Sequence, residues 1–317
     1  MGGRSKHFPP EFAGFALLLA RERPVRKAGE ILGETDPRLW RMLFAQVQAA
    51  WAQLSLEEVV WVGADEMNRQ KGHHDLTGFV DRLAQRVLFA TEGKDASPWK
   101  AFAMALLEHN GPPKAVTQVA IDMSPAYRKG VAENFGNAHV SFAKFHMVRQ
   151  VVEAVDEVRR EERAQPDRGD LLAKARWFFR KNPEIWTDQA GARWEELAGE
   201  NLATGLACQM RWVFQGIYRL GRVKLARAKL ESWCQWGEQA AAQAGQVLEP
   251  MRKVAAMVRG RREGIRGHWQ EGLTTAFLEG LNSLFSATKR KARGSRSTEP
   301  LITMLYFVAG KLSIPCY

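Results

Sequence analysis

The chain has 317 residues and a formal net charge of +11, from 46 Lys and Arg against 35 Asp and Glu. That length suits two or three folded units, and the charge favours an anionic partner, nucleic acid before membrane. Three widely spaced cysteines exclude a disulfide framework or a Cys-x-x-Cys zinc site and indicate a reducing compartment. No apolar run approaches the ~20 residues of a membrane span, and no signal peptide is recognisable. We therefore expect a cytoplasmic protein with no membrane partner.

Residues 11–56 predict a helical, DNA-binding segment that follows a short tail over residues 1–10. A helix over Val25–Leu32 is expected to stop at Gly33, because glycine suits the left-handed conformation that ends many helices. The helix before it is expected to bury one apolar face, made of Phe12, Phe15, Ala16 and Leu19.

The helix after Gly33 is the candidate recognition helix. Asp36 is expected to cap its start, with Pro37 in the first turn. A helix, a glycine turn and a second helix form the outline of a helix-turn-helix, whose second helix lies in the major groove of DNA. The alternative is a simple helical hairpin, which has the same outline. The predicted DNA contacts on this helix are Arg38 and Arg41.

Residues 57–165 predict a mixed α/β sheet. The apolar run Val59–Asp65 is typical of a buried strand, and its terminal acid would stand at the rim of the sheet, where ligands and metals usually bind. A hairpin and a further strand, Ala115–Ile121, follow, and that strand leads into Asp122. Strands that alternate with helices in this way predict parallel crossovers.

Residues 166–268 predict an all-α insertion, with helices separated at Pro183 and Gly191. Its tryptophans are interpreted as core aromatics rather than as platforms for stacking bases. Residues 269–317 are expected to complete the catalytic core with helices. Dense positive charge favours phosphate binding, although such runs are often only solvated faces. The predicted phosphate contacts are Arg259, Arg261, Arg262, Lys289, Arg290, Lys291 and Arg293, with Arg69 and Lys71 in the loop after the first strand.

Two acids at the ends of two strands, with a third on a late helix, suit a pair of hard divalent cations. Carboxylate oxygens are the ligands that Mg²⁺ prefers, and two such ions can activate an attacking oxygen and stabilise a leaving one. The alternative for each acid is a helix cap or a surface charge, and Asp122 in particular could cap the next helix. Glu66 ranks below Asp65, because neighbouring strand residues point to opposite faces.

Four short motifs follow one another along the chain. They are Asp65-Glu66 with Arg69-x-Lys71-Gly72-His73; Ile121-Asp122-Met123-Ser124-Pro125-x-Tyr127; Asn137-Ala138 leading to Lys144-Phe145-His146; and Leu278-Glu279-Gly280-Leu281-Asn282 before Lys289. In this order they resemble a bacterial insertion-sequence transposase of the ISL-three type, which has a ribonuclease H-like DDE catalytic fold. The resemblance implies a ribonuclease H-like mixed sheet with an all-α insertion and an N-terminal helix-turn-helix. It also implies a catalytic, metal-binding triad of Asp65, Asp122 and Glu279.

The resemblance further implies a nucleoid-associated enzyme that cleaves and joins double-stranded DNA at element ends and a target site. Mg²⁺ or Mn²⁺ would serve as a two-metal cofactor, and a homodimer is expected. Two alternatives are an inactive DNA-binding relic of such an enzyme and a ribonuclease H-like nuclease that acts on RNA–DNA hybrids.

The chain departs from the family pattern in two places. Relatives usually begin with a cysteine-rich zinc-binding module, whereas this chain has no cysteine before Cys208, so we expect a truncated or shortened form. Relatives also usually carry an aspartate in the pattern Asp-x-x-His, where this chain has Ala143 and retains His146. His146 and Glu66 are therefore the predicted auxiliary residues, and position 143 is expected to lie near Asp122.

Overall fold

The computed structural model describes residues 8–68, 75–166, 168–169, 172, 179, 181–200, 202–270, 276–292 and 297–314. The chain divides into two compact units: Met1–Val140 with Thr275–Tyr317, and Ser141–Thr274. The finer domain boundaries expected from the sequence stay predictions. No helix among the described residues is long and apolar enough to cross a membrane.

Three helices precede the strands, and after the last strand the described part of the second unit contains helices and connecting segments but no strand. The strands are β1 (Trp61–Asn68), β2 (Asp75–Asp81), β3 (Arg86–Glu92), β4 (Gln118–Ile121) and β5 (His139–Phe142). The helices are α1 (Pro10–Glu22), α2 (Val25–Leu32), α3 (Asp36–Ala52), α4 (Ser97–Glu108), α5 (Pro125–Asn134), α6 (Lys144–Arg163), α7 (Asp188–Gly199), α8 (Ala203–Ile217), α9 (Val223–Ala244), α10 (Glu249–Gly260), α11 (Arg262–Gln270), α12 (Ala276–Lys291) and α13 (Glu299–Ala309).

The sheet has the strand order β3-β2-β1-β4-β5. Strands β1, β2 and β3 pair antiparallel, while β1 and β4 pair parallel. The predicted mixed α/β sheet is therefore confirmed. The predicted end of the first strand is wrong: β1 continues past Asp65, because its pairing with β2 runs on to Asn68 opposite Asp75. The polar residues that end the apolar run do not end the hydrogen-bonded ladder.

The two faces of the sheet are covered by different helices. On one face, Met67, Leu76 and Val80 share a core with residues of α1, α2, α3, α12 and α13. On the other face, Phe79 stacks on Phe102 of α4 with ring centroids 4.3 Å apart. Side chains alternate between faces along a strand, so each strand residue can be assigned to one helical layer or the other.

The helix-turn-helix outline is present at the N-terminal end of the first unit. Helix α2 has the predicted bounds, and Gly33 ends it with φ +66°, in the left-handed region that glycine tolerates. The residue before α3 is Thr35 rather than Asp36, and its side chain makes no capping hydrogen bond. The predicted buried face of α1 is partly wrong, because Phe15 is exposed while the residues that pack inward are Ala13, Gly14, Ala16, Leu17 and Ala20.

The second unit is built around α6, which packs against α8 and α10. The buried Glu162 carboxylate at the end of α6 accepts hydrogen bonds from the backbone N–H groups of Ala203 and Thr204, both at 2.8 Å, and so caps the start of α8. Trp233 is buried and donates its indole N–H to the Met210 carbonyl at 2.8 Å, as expected of a core aromatic. The predicted helix break at Gly191 is wrong, because Gly191 lies within α7.

Candidate active site

Asp65 and Asp122 lie on adjacent parallel strands. The β1–β4 register pairs Val62 with Val119 and Gly63 with Ala120. The same register, carried two residues further, sets Asp65 opposite Asp122, which directly follows β4. Neighbouring strands are about 4.8 Å apart, so the two backbones bring the carboxylates to one rim. The prediction that the strands carrying these acids are adjacent and parallel is confirmed, although Asp65 lies within β1 and not at its end.

Strand alternation assigns Asp65 to the sheet face that α12 covers. Met67 lies two residues from Asp65 and belongs to the same core as Phe285 of α12, and α12 packs against β1. Glu279 is in the first turn of α12, so the prediction that a helix after the insertion carries Glu279 is confirmed. Its side chain lies outside the described part of the structure, and its membership of a triad stays a prediction.

The backbone fixes one oxygen of each aspartate. Asp65 is 7% exposed, and its Oδ1 atom accepts a hydrogen bond from the Glu66 N–H at 2.9 Å. The Oδ1 atom of Asp122 accepts one from the Ser124 N–H, also at 2.9 Å. Ser124 is the residue before α5 and its own side chain makes no cap. Asp122 thus supports the turn into α5 while it stands at the strand end, so the capping and rim interpretations are compatible.

A buried tyrosine lies close to these aspartates. Tyr127 of α5 is 1% exposed, and its hydroxyl lies 2.8 Å from Oγ1 of Thr77 on β2. Thr77 donates its only hydroxyl hydrogen to the Gly93 carbonyl at 2.7 Å, so Tyr127 is the donor to Thr77. Burial, followed by the charges of Asp122, Glu66 and Asp65, raises the pKa of the Tyr127 hydroxyl well above its usual range.

Tyr127 belongs to the motif around Asp122, but the sequence alone assigned it no role. Its influence on the site comes from α5 folding back onto β2, a contact between residues 50 positions apart. The spacing Asp-x-x-x-x-Tyr was the available signal, since it places the ring one turn into the helix that begins just after Asp122.

Glu66 points away from Asp65, to the sheet face of Thr77 and Asp75. Burial first, and then the nearby carboxylate of Asp75, raises the pKa of the Glu66 carboxyl above its ordinary value. Lys94 balances this pair by binding Asp75 with an Nζ–Oδ2 distance of 2.8 Å. Since β1 continues beyond Asp65, the expected opposite orientation of Glu66 is supported.

His146 and Ala143 belong to the second unit, at the start of α6. Ala143 is the residue before the first turn, with extended backbone and no side-chain cap. Its carbonyl accepts the His146 N–H at 3.2 Å, and the His146 ring packs edge-on against Phe145. The auxiliary role of His146, and the expected proximity of position 143 to Asp122, stay predictions.

The predicted DNA contacts on α3 differ in their surroundings. Arg38 is half-buried, pairs with Glu34 at 2.6 Å and places its guanidinium 4.2 Å from the centre of the Phe8 ring. Arg41 is exposed. Arg38 therefore has a structural role in the first unit, while Arg41 is available to a ligand.

The other basic residues divide in the same way. Lys289 and Arg290 are exposed at the end of α12, whereas Lys291 donates a hydrogen bond to the Arg21 carbonyl at the end of α1. In the second unit, Arg259 binds Glu238 at 2.6 Å and Glu231 at 3.3 Å, Arg261 is half-buried and Arg262 is exposed. Arg69, Lys71 and Arg293 lie outside the described residues.

The donor set at the rim fits a hard divalent cation, because it consists of carboxylate oxygens. Among the side chains that the structure describes, no three His, Cys, Asp or Glu converge into a metal site. Asp65 and Asp122 are the two described carboxylates of the predicted set, and metal binding by them and by Glu279 of α12 stays a prediction.

Comparison with known proteins gives consistent matches. A family model described as a transposase, of the DDE, ISL-three type, matches residues 62–305. The transposase for insertion sequence element IS1001 of Bordetella parapertussis is 26% identical over 261 residues, which cover 80% of this chain and 62% of that protein. The transposase for insertion sequence element IS1557 of Mycobacterium tuberculosis is 23% identical over 297 residues, which cover 84% of this chain and 64% of that protein. The chain thus spans less than two thirds of the length of these curated relatives.

Proposed function

The chain belongs to the transposase family of the DDE, ISL-three type, and from that membership we propose that it is a metal-dependent DNA transposase. Its reaction is the cleavage of DNA strands at the ends of an insertion sequence and their transfer to a target site. The catalytic residues in this proposal are Asp65, Asp122 and Glu279.

One observation supports the proposal: β1 and β4 are adjacent and parallel, and their register, which pairs Gly63 with Ala120, leads towards Asp65 on one strand and Asp122 after the other. Two carboxylates at one rim, on strands held by a sheet that is covered on both faces, form a rigid anionic pair. Helix α12, which carries Glu279, packs against the strand that carries Asp65. Rigid placement of this kind is what phosphoryl transfer requires of a protein, since positioning and charge stabilisation supply most of the catalysis.

Asp65, Asp122 and Glu279 would hold Mg²⁺ or Mn²⁺. When bound, a pair of such ions activates the attacking oxygen and stabilises the leaving oxygen of a phosphodiester. The protein's own part is positional. The Glu66 and Ser124 N–H groups each fix one oxygen of an aspartate, and the buried Tyr127 ties α5 to β2 behind the rim.

DNA binding is proposed for exposed cations in each unit. Arg41 on α3, together with Lys289 and Arg290 on α12, would contact phosphates from the first unit. Arg262 would do so from the second unit. Double-stranded DNA at the element ends and the target site is the proposed partner, and a homodimer is the proposed assembly, since two ends must be processed together.

The proposal is tested by incubating the purified chain with DNA that contains an element end, in the presence of Mn²⁺. We expect end-specific strand cleavage by the parent chain and its loss in Asp65→Asn and in Asp122→Asn. Glu133→Gln is the matched control, because Glu133 is an exposed acid on α5 that pairs with Lys129; it should cleave like the parent. Cleavage that survives in both aspartate variants would refute the assigned site, and preference for RNA–DNA hybrids would indicate the nuclease alternative.

A further inference from the structure

A basic groove lies within the second unit, between α9 on one side and α10 and α11 on the other. Its volume is about 690 Å³. Lys224, Arg227, Arg262 and Arg266 stand along it, and its floor includes Leu230 and Cys234, both almost fully buried. We refer to this feature as the α9–α11 groove.

We propose that the α9–α11 groove binds the sugar–phosphate backbone of DNA. The inference rests on the proposed function, because it takes DNA as the anion that the protein handles. It assigns to the helical insertion a binding site of its own, formed by side chains of three helices rather than by a single run of charged residues.

The charge balance inside the groove favours an anion. Its only carboxylate among the lining residues that the structure describes is Glu231, and Arg259 binds it at 3.3 Å while also binding Glu238 at 2.6 Å. Arg259 therefore balances the negative charge of Glu231 and links α9 to α10. This internal pairing leaves the remaining lining cations as a net positive charge.

Two of the cations that line the groove make no ion pair among the described residues. Lys224 and Arg227 are exposed on α9 and have no carboxylate partner among the described residues. They are three positions apart, which sets them on one face of the helix with Cβ atoms about 5–6 Å apart. Both can therefore reach a single strand of phosphates.

On the α11 side of the groove, Arg262 is only weakly paired with a carboxylate. Arg262 is exposed and its nearest carboxylate, Glu263, is 3.9 Å from Nε. Glu263 lies closer to Arg266, at 2.7 Å. Glu263 therefore pairs mainly with Arg266, and most of the positive charge of Arg262 is left unbalanced. A guanidinium in this state suits a phosphate, whose oxygens it can bind in a bidentate manner.

The floor of the groove favours a polynucleotide over a simple anion as the ligand. Leu230 and Cys234 lie at the base of the groove, and burial raises the pKa of the Cys234 thiol to about 11, so the thiol stays uncharged at neutral pH. Sugars alternate with phosphates along a nucleic-acid backbone, so a cationic rim above an apolar floor matches both. An acidic peptide is the competing ligand.

The experiment measures binding of fluorescent DNA to the full chain by anisotropy, over a range of salt concentrations and without divalent metal. The test variant is Lys224→Ala/Arg227→Ala/Arg262→Ala, and exposed helical positions tolerate alanine well. We expect affinity at moderate salt to fall by about tenfold or more. The log–log salt slope should fall by roughly 0.9 per lost contact with a duplex probe, or roughly 0.7 with a single-stranded probe.

Lys229→Ala is the matched control, since Lys229 is exposed on α9 but does not line the groove; it should bind like the parent. A triple variant with unchanged affinity and slope would overturn the inference. Equal competition by polyglutamate of the same charge, lost in the triple variant, would also overturn it in favour of an acidic peptide. Because Asp65→Asn leaves the groove intact, its DNA binding is expected to equal that of the parent, which separates failure of the groove from failure of the catalytic site.

Discussion

A single hydroxyl, that of Thr77, has two partners beside the paired aspartates. It accepts from Tyr127 and donates to the Gly93 carbonyl. Tyr127→Phe removes one donor and leaves Thr77 bonded to Gly93, so we expect a loss of about 0.5–1.5 kcal/mol in the free energy of unfolding. Thr77→Val leaves the buried Tyr127 hydroxyl without its acceptor, which costs about 1–3 kcal/mol.

Urea unfolding of the two single variants and of the double variant checks this order. The double variant should be less destabilised than the sum of the two, since both substitutions remove the same bond. If Tyr127→Phe proved the more damaging change, the donor assignment would be wrong.

Glu66 provides a prediction of pH dependence. Its pKa in the folded chain lies above the ordinary 4.5, chiefly because of burial. The folded state therefore binds the Glu66 proton more tightly than the unfolded state does, and this contribution to stability is lost as the pH rises through the folded pKa. Glu66→Gln keeps an uncharged side chain at every pH.

Thermal unfolding in a metal chelator should then show equal Tm values for the parent and Glu66→Gln at about pH 4, and a higher Tm for the variant at pH 7. Equal Tm values at both pH values would show that Asp75 and the surrounding burial do not act on this carboxyl as described.

At this scale, the sequence singled out acids that follow apolar runs and missed residues whose roles depend on packing. Asp65 and Asp122 could be found because each follows an apolar run. Tyr127 could not be connected to Thr77, because no periodicity states which strand α5 covers. Arg38 and Lys291 were predicted to bind DNA from their charge, but each has a partner inside the first unit that only the folded chain supplies.

Among the helices, α6 provides a test of the most distinctive departure from the family pattern. Ala143 is the N-cap position of α6, and His146 is its third residue. An aspartate at an N-cap accepts the backbone N–H of the second or third helical residue. The family pattern Asp-x-x-His therefore has the spacing of a helix cap as well as that of a catalytic pair.

We expect Ala143→Asp and Ala143→Asn to stabilise the chain by about 0.5–2 kcal/mol in the absence of metal, because both residues cap helices well. If capping is the whole role, the two variants will also cleave DNA alike. If Asp alone raises Mn²⁺-dependent cleavage, by roughly 10–100-fold, the position assists catalysis through His146 or a metal ligand. Unchanged stability in both variants would exclude capping.

Positively charged side chains at the end of α12 are expected to have two different roles, DNA binding and a structural contact with α1. Lys289→Ala/Arg290→Ala should weaken DNA binding of every sequence and reduce the log–log salt slope by roughly one unit per contact. Lys291→Ala should leave the slope unchanged and lower the Tm, because it removes the bond to the Arg21 carbonyl at the end of α1. Anisotropy and thermal unfolding of the two variants would reveal a reversed assignment.

The elements themselves show where sequence patterns are reliable. Helix α2 has the predicted bounds, because a glycine ends it. The buried face of helix α1 was predicted only in part, with Phe15 wrongly included, because apolar residues occur around most of its circumference. Its small side chains, such as Ala13 and Ala16, turn inward where α2 and α3 approach. That choice depends on helix packing, which a single periodicity does not encode.

For the molecule as a whole, metal binding should stabilise the folded state against unfolding. A ligand that binds only the folded state raises the free energy of unfolding, by about 2.7 kcal/mol at a hundred times its Kd. We expect Mg²⁺ to raise the Tm of the parent chain and to have no effect on Asp65→Asn/Asp122→Asn. NaCl at equal ionic strength is the control for screening, and an equal rise in the double variant would place the ion elsewhere.

Helices α1, α2 and α3 share one continuous core with β1, β2, α12 and α13. The helix-turn-helix is therefore no separate module on a tether. The proposed function has DNA bound through α3 and cut at Asp65 and Asp122. The number of base pairs between the bound sequence and the cut would then be set by the dimensions of this folded unit, and lengthening a linker would not change it.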